Sequence, residues 1–116
     1  MKYTDRQRLE KNCTATDKLL QFLSEHQISR EMVLSQEPLR WAITTPLYNI
    51  GEHTYNLTDP FKQSHAEIPW NKISGLRHRL GHDYENTNWS LICTILFDVL
   101  PGFQQDVHQI LNQIPE

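Results

Sequence analysis

The sequence predicts an all-α protein, an up-and-down bundle of about five helices in one domain over residues 1–116. Apolar residues recur at steps of three and four along most of the chain, which places them on one face of a helix. No stretch shows the strict alternation of a half-buried strand. A chain of 116 residues is long enough to bury a core of its own.

The first predicted helix begins near Thr4 and runs to about Glu25. Its apolar face comprises Leu9, Cys13, Thr16, Leu19, Leu20 and Leu23. A second apolar stripe begins after Pro38, a residue suited to a first helical turn, and continues to Leu57. Pro46 interrupts this stripe, so we expect a bend there unless two helices meet at that point.

A short third helix is predicted to start at Pro60, with Asp59 as its cap. Pro69 then opens a helix whose apolar face comprises Ile73, Leu76 and Leu80. Gly81 is expected to end this helix in a left-handed conformation. His82 would then lie beyond the helix end.

Two further helices are predicted in the last third of the chain. Asn86, Thr87 or Asn88 can cap the first of them. Its apolar face comprises Trp89, Ile92, Cys93, Leu96, Val99 and Leu100. Pro101 is expected to restart the chain and Pro115 to end the last helix. That last helix carries Phe103, Val107, Ile110, Leu111 and Ile114.

The charge and cysteine content limit the possible functions. Eleven Lys and Arg against fourteen Asp and Glu give a formal charge of −3, so any nucleic-acid contact must be local. Cys13 and Cys93 are predicted to be free thiols that act as small hydrophobes. With no long apolar run and no leader pattern, we expect a cytoplasmic protein. Four other histidines are scattered singly along the chain and are predicted to lie on the surface or at helix ends: His26, His53, His65 and His108.

The stretch "GLRHRLGHDY", residues 75 to 84, has the side chains best suited to chemistry. If the chain turns at Gly81, His82 can approach Arg77, and the pair would suit a phosphate. Arginine offers a planar fork to phosphate oxygens, and imidazole exchanges a proton near neutral pH. In this hypothesis His82 takes the proton of a ribose hydroxyl and Arg77 stabilises the growing phosphoryl charge, without a metal or other cofactor.

Two other interpretations of this stretch stay open. Arg77, His78 and Arg79 can simply form the solvated face of a helix. A zinc site is the second alternative, since His78 and His82 are four residues apart and Asp83 follows. Against zinc, Gly81 disfavours a continuous helix and no further ligand pair is evident.

The segments "IPWNKISGLRHRLGHDYENTNW" and "DVLPGF", with "IGE" at residues 50–52, resemble the HEPN superfamily, specifically HepT-like toxins of bacterial and archaeal toxin–antitoxin pairs. That family carries an Arg, four residues, His, one residue, Tyr signature. Arg77, His82 and Tyr84 match it. The sequence departs from the common form at His78, where the family has asparagine, and we expect His78 to support the site. Glu52 is expected either to pair with an arginine of the stretch or to act directly.

The resemblance implies a homodimer whose two motifs face a shared cleft and act as a metal-independent endoribonuclease toxin, in a type VII-like system. It also implies a nucleotidyltransferase antitoxin, which in some members of the family transfers AMP to the motif tyrosine, here Tyr84. The alternative is a non-catalytic helical partner or nucleotide-binding subunit of a nucleotidyltransferase. Core or dimer packing is expected for the three tryptophans, Trp41, Trp70 and Trp89.

Overall fold

The computed structural model describes residues 2–113, which form seven α-helices, one π-helical segment and no strand. The α-helices are α1 (Asp5–Glu25), α2 (Arg30–Ser35), α3 (Glu37–Tyr55), α4 (Asp59–Ser64), α5 (Trp70–His82), α6 (Trp89–Thr94) and α7 (Leu100–Gln113), with the π segment (Ile95–Val99) between the last two. The predicted all-α bundle is confirmed. Within residues 2–113, no helix is both long and apolar enough to cross a bilayer.

Helix α3 is the centre of the bundle, since α1, α2 and α5 all pack against it. Helix α7 packs against α1 and joins the N-terminal and C-terminal parts of the chain. The predicted apolar faces meet in one buried core. Its largest fully buried side chains are Leu9, Ile43, Leu47, Ile50, Ile73, Leu76, Ile92, Leu96, Leu100 and Phe103.

The first two helices begin at capping boxes. The Gln7 amide donates to the Thr4 hydroxyl oxygen and the Thr4 amide donates to the Gln7 side-chain oxygen, which confirms the predicted start of α1. Helix α2 was not predicted from the sequence. It is capped by Ser29 and buries only Val33, and six residues are too few to show a helical period.

The course of α3 and the start of α4 differ in part from the prediction. Pro38 lies in the first turn of α3, as predicted, but α3 continues through Pro46 as one helix. The alternative in which two helices meet at Pro46 is therefore wrong. Helix α4 begins at Asp59 and is capped by the Thr58 hydroxyl, so the prediction that Asp59 is the cap is wrong by one residue.

The predicted helix stop at Gly81 is also wrong. Helix α5 follows Pro69, as expected, but it runs through Gly81 to His82, and Asp83 is its C-cap. No glycine in residues 2–113 has a positive φ. A Cβ at position 81 would lie 2.8 Å from Cε1 of Tyr48, so the glycine serves close packing against α3 and not chain reversal.

The chain stays helical from α6 to α7, so Pro101 does not restart it. Asn88 caps α6, as expected. The Leu100 amide donates to the Ile95 carbonyl, a five-residue spacing that widens the helix just before Pro101. The predicted helix end at Pro115 lies outside the described residues.

Candidate functional site

The site is built where α3 and α5 approach at Gly51. A Cβ at this position would lie 2.6 Å from the Arg77 amide nitrogen and 3.2 Å from the Ile73 carbonyl oxygen. Real Cβ atoms do not approach backbone so closely, so only glycine allows this contact. The next residue along α3, Glu52, is thereby brought beside Arg77.

Glu52 and Tyr55 together orient the Arg77 guanidinium. Arg77 Nε donates to Glu52 Oε1 at 2.5 Å, and the guanidinium lies 4.3 Å from the Tyr55 ring centroid. The hydrogen bond to Glu52 raises the pKa of Arg77, and the carboxylate charge adds to this effect. The expected pairing of Glu52 with an arginine is thus confirmed for Arg77. Among the described residues, Arg79 forms no ion pair with Glu52.

One edge of the Arg77 guanidinium is left open. Its side chain is 36% exposed, and Nη1 and Nη2 have no hydrogen-bond partner within residues 2–113. The carboxylate that holds Nε is itself held, because Asn56 Nδ2 donates to Glu52 Oε2 at 3.3 Å. Arg77 therefore presents two oriented donors to solvent, which is the arrangement that binds two oxygens of a phosphate.

A row of polar side chains on α3 extends from this pair toward Tyr84. We call this surface the seam; it comprises Arg40, Thr44, Tyr48 and Glu52 on α3, four residues apart, and Arg77, Gly81 and Tyr84 opposite them. Because α3 and α5 run in opposite directions, Glu52 meets Arg77, Tyr48 meets Gly81, and Arg40 lies near Tyr84.

Tyr84 lies at the other end of the seam with its hydroxyl covered. Its ring packs edge-on against Trp89, with centroids 5.5 Å apart. Burial raises the pKa of Tyr84, helped by the Glu37 charge and opposed by Arg40 and Thr44. Although Arg40 and Thr44 are close enough to affect the pKa, the hydroxyl has no partner in hydrogen-bonding geometry among the described residues.

His78 and His82 occupy a different face of α5. Their ring centroids are 4.7 Å apart and both side chains are exposed. On a continuous helix His82 is turned by roughly 140° from Arg77 and lies about 7.5 Å further along the axis. The predicted convergence of Arg77 and His82 within one chain is therefore wrong, because the helix does not break at Gly81.

The continuous helix also removes one argument against zinc at His78 and His82, since the two rings do lie side by side. No third ligand lies beside them in the described part of the chain, however. Within residues 2–113, the only group of three or more candidate ligand atoms within metal-binding distance lies elsewhere, at Cys13, Asp17 and His108.

That cluster was missed from the sequence. His108 Nε2 lies 2.9 Å from Asp17 Oδ1 and 3.3 Å from Cys13 Sγ. Cys13 is a free thiol packed against the core and His108 is exposed, as expected, but the sequence did not show that the two side chains contact each other and Asp17. The four-residue step from Cys13 to Asp17 is visible in the sequence, but nothing local shows that His108, on α7, lies against them.

The cluster shifts the pKa values of two of its members. Burial raises the pKa of Cys13 to about 11, and the neighbouring Asp17 charge contributes. Burial also acts to raise the pKa of Asp17, but hydrogen bonds from Gln104 and His108 outweigh it and lower that pKa. Cys13 is thus a protonated thiol beside an ionised carboxylate at neutral pH.

The three tryptophans differ in role. Trp70 is buried in the core, as expected, and its indole nitrogen donates to the Lys62 and His65 carbonyls at 3.2 and 3.0 Å. Trp89 is half-buried against Tyr84. Trp41 is 59% exposed, so core packing within this chain is wrong for that residue.

A family model described as "Ribonuclease HepT-like" matches residues 12–110. The chain belongs to this family. The match includes every residue of the seam and the His78–His82 pair, and it confirms the resemblance noted in the sequence. The HepT-like assignment thus covers both helices that position the candidate site.

Curated relatives are similar over much of their length. A "Probable ribonuclease HepT" of Thermococcus cleftensis is 32% identical over 104 residues, which cover 90% of this chain and 93% of the relative. A "Putative RNase" of Caldanaerobacter subterraneus subsp. tengcongensis is 31% identical over 86 residues, covering 74% and 77%. Another "Putative RNase", from Methanocaldococcus jannaschii, is 27% identical over 81 residues, covering 70% and 67%. No solved structure matches this HepT-like chain.

Proposed function

We propose that this HepT-like chain, a single domain over residues 1–116, is a metal-independent endoribonuclease that acts as a cytoplasmic toxin. The observation that carries the proposal is the Arg77 guanidinium, held by Glu52 at Nε and by the face of Tyr55, with its outer edge open. Family membership supports RNA as the substrate, since the relatives are named as RNases and ribonucleases.

The active site requires a second copy of the chain. Arg77 and His82 point from different faces of one α5, so a single phosphate can meet both only if they come from two protomers. Two exposed aromatic residues on α3, Trp41 at 59% and Tyr55 at 53%, lie beside the seam and would be covered by a partner. We therefore propose a homodimer whose twofold axis brings two α5 helices together.

The chemistry follows from an arginine and two imidazoles. His82 accepts the proton of the ribose 2′-hydroxyl, and the resulting oxygen attacks the adjacent phosphorus. Arg77 stabilises the negative charge on the phosphoryl oxygens. The bond to the 5′ oxygen breaks, an imidazolium such as that of His78 protonates this leaving group, and the products are a 2′,3′-cyclic phosphate and a 5′-hydroxyl.

Cleavage of RNA in excess chelator tests this function directly. We expect the parent to cleave, and Arg77→Ala to lose about 100- to 1000-fold in rate because the phosphoryl charge is no longer stabilised. His82→Ala should lose activity comparably. The matched control is Arg79→Ala, which removes an equal charge from the same helix outside the seam and should stay within about threefold of the parent.

Either of two outcomes would contradict the proposal: cleavage that depends on added metal, or cleavage that survives His82→Ala. The thermal midpoint of each variant is measured in the same buffer. A loss of activity counts only where the variant stays folded.

Mixing two inactive variants tests the shared site. If Arg77 of one protomer acts with His82 of the other, dimers that combine Arg77→Ala with His82→Ala regain one intact site of two. A co-expressed equal mixture should then recover about a quarter of the parent activity. If both groups served the same site from one chain, the mixture would stay as inactive as either variant.

Control by a partner is proposed at Tyr84. In this step the tyrosine oxygen attacks the α-phosphorus of ATP, pyrophosphate leaves, and the hydroxyl proton passes to solvent or a base of the antitoxin. The partner is a nucleotidyltransferase antitoxin. Since the Tyr84 hydroxyl is buried beside Trp89, residues 83–88 must move before the oxygen can react.

Mass spectrometry after incubation with such an antitoxin and ATP tests this control. We expect one AMP on Tyr84 and none on Tyr55, which is the more exposed tyrosine. Trp89→Ala should accelerate the modification because the ring that covers Tyr84 is removed. Equal labelling of both tyrosines, or none on Tyr84, would overturn this control route.

A non-catalytic partner of a nucleotidyltransferase is the second candidate, favoured by the separation of Arg77 and His82 within one chain. Expression in a bacterial host separates the two functions. The ribonuclease proposal predicts growth arrest that disappears with Arg77→Ala. A harmless parent that still forms a stable complex with the nucleotidyltransferase would favour the non-catalytic role.

A further inference from the structure

The cluster of Cys13, Asp17 and His108 joins α1 to α7, away from the seam. Cys13 and Asp17 are one turn apart on α1, and His108 comes from α7. Three different donor types, a sulfur, a carboxylate oxygen and an imidazole nitrogen, lie within 4.8 Å of one another. Sulfur and nitrogen donors in one group are typical of zinc and uncommon for magnesium or calcium.

The separations of the donor atoms are close to those of a tetrahedral zinc site. Usual bond lengths of about 2.0 to 2.3 Å place two tetrahedral ligand atoms, at most one of them sulfur, roughly 3.3 to 3.7 Å apart. Here Cys13 Sγ lies 3.3 Å from His108 Nε2 and 3.6 Å from Asp17 Oδ2. Asp17 Oδ1 and Oδ2 lie 2.9 and 3.1 Å from the same Nε2. The contacts of Asp17 with His108 are hydrogen-bond distances, so these two side chains would move apart by a few tenths of an ångström to seat an ion.

A fourth side chain fixes the carboxylate. Gln104 Nε2, one turn before His108 on α7, donates to Asp17 Oδ1 at 2.7 Å. In metal sites such a hydrogen bond typically orients a ligating carboxylate and leaves its other oxygen for the ion. The arrangement thus includes three candidate ligands and a residue, Gln104, that orients one of them.

The geometry does not suit a catalytic cysteine. In a nucleophilic triad the thiol meets one imidazole nitrogen and the acid holds the other. Here Asp17 approaches the same Nε2 as Cys13, and the sulfur is 3.3 and 3.6 Å from the two ring nitrogens. The raised pKa of Cys13, about 11, also keeps the thiol protonated in the absence of an ion.

We propose that Cys13, Asp17 and His108 bind a zinc ion, with water in the fourth position. On binding, the Cys13 thiol transfers its proton to solvent and the thiolate sulfur bonds to the metal. The ion links α1 to α7, so its role is to hold the first and last helices of the chain together. The site is independent of RNA cleavage, which involves α3 and α5.

Cobalt and zinc titrations of chelator-stripped protein test the site. Co²⁺ should bind at about one ion per chain and produce a thiolate-to-cobalt absorption band. At a free Zn²⁺ concentration of about 100 times the dissociation constant, the thermal midpoint should rise by roughly 5 to 15 °C.

Matched variants assign the signal to these residues. Cys13→Ser should abolish the cobalt band, and Cys93→Ala, which removes the other thiol, should keep it. His108→Gln should lower affinity at least tenfold. Replacing both His78 and His82 by Gln removes the exposed histidine pair on α5 and should leave the cobalt band unchanged.

Clear outcomes would overturn the proposal. A parent with neither cobalt band nor Zn²⁺-dependent thermal shift has no site. A band that persists in Cys13→Ser, or that disappears with the His78 and His82 replacements, places the metal elsewhere. The metal-free thermal midpoint of each variant shows that it is folded, and His108→Gln replaces Cys13→Ser as the deciding variant if the latter unfolds.

Discussion

The seam and the Cys13–Asp17–His108 cluster both join distant segments, but they are assembled in different ways. At the seam, backbone meets backbone at Gly51, and the ion pair of Glu52 and Arg77 follows from that approach. At the cluster the contacts are made by side chains, since Cys13 and Asp17 on α1 meet His108 on the neighbouring α7. The seam is therefore sensitive to side-chain volume added at Gly51, and the cluster is sensitive to the protonation of Cys13 and Asp17.

This difference indicates which perturbation should damage which region. A methyl group added at Gly51 would separate two helices and displace every seam residue together. A proton added to Asp17 or removed from Cys13 would weaken contacts between two helices whose apolar packing persists. Four predictions, from the largest expected effect to the smallest, test this contrast.

Gly51→Ala should destabilise the fold by about 1 to 3 kcal/mol, since its Cβ would lie 2.6 Å from the Arg77 backbone nitrogen. Gly75→Ala is the matched control, because a Cβ there meets no atom within 4 Å and alanine favours a helix. It should be neutral or stabilising by up to about 1 kcal/mol. Urea unfolding measures both, and equal stability of the two variants would contradict the account of Gly51.

Glu52→Gln should lower RNA cleavage by about tenfold or more, since the amide holds Arg77 Nε less firmly and the guanidinium loses its orientation. The thermal midpoint should change little because the pair is one-third exposed. Rate constants at saturating RNA, compared with Glu67→Gln as a control for charge, check this. Unchanged cleavage would mean that Glu52 does not position Arg77.

Alkaline pH should weaken the cluster through Cys13. Its pKa rises from 9.0 to about 11 on folding, so the folded state retains the proton longer. The stabilisation is present below pH 9 and is lost as the pH rises toward 11. Thermal midpoints of the parent and Cys13→Ala, measured with chelator, should converge over this range; a constant difference would contradict the prediction.

Acid should weaken the same cluster through Asp17, by a smaller amount. Its pKa is lowered on folding from the ordinary value of 3.8, so the stabilisation is present above pH 3.8 and is lost as the pH falls below it. Asp17→Asn cannot titrate and should show a flatter decline in this range. We expect a difference of a few tenths of a kcal/mol, which urea unfolding between pH 3 and 6 can resolve.

Part of the fold could be predicted because the relevant information is local. The faces of α1 and α7 follow from three- and four-residue steps, and Asn88, one of three candidates for the cap of α6, acts within one turn. Helix α2 was missed because six residues span fewer than two turns, which is too short for an apolar spacing to repeat. The interpretation of Gly81 was wrong because a glycine that ends a helix and one that admits a neighbouring ring look identical in sequence.

For the candidate site, the motif identified the residue types but not their arrangement. Arg77, His82 and Tyr84 were selected by spacing, and the pairing of Glu52 with Arg77 was among the expectations. The expected meeting of Arg77 and His82 depended on a helix break that tertiary packing does not produce. Local rules cannot decide this, since the ring that fills the space beside Gly81 comes from another helix.

By itself, the sequence determined the helical class, the apolar faces and the family to which the chain belongs, because each is encoded within short segments. Only the tertiary structure decided that α5 continues through Gly81, that the Tyr84 hydroxyl is covered and that His108 meets Cys13. The physical reason is distance along the chain: such contacts join side chains whose proximity results from the packing of whole helices.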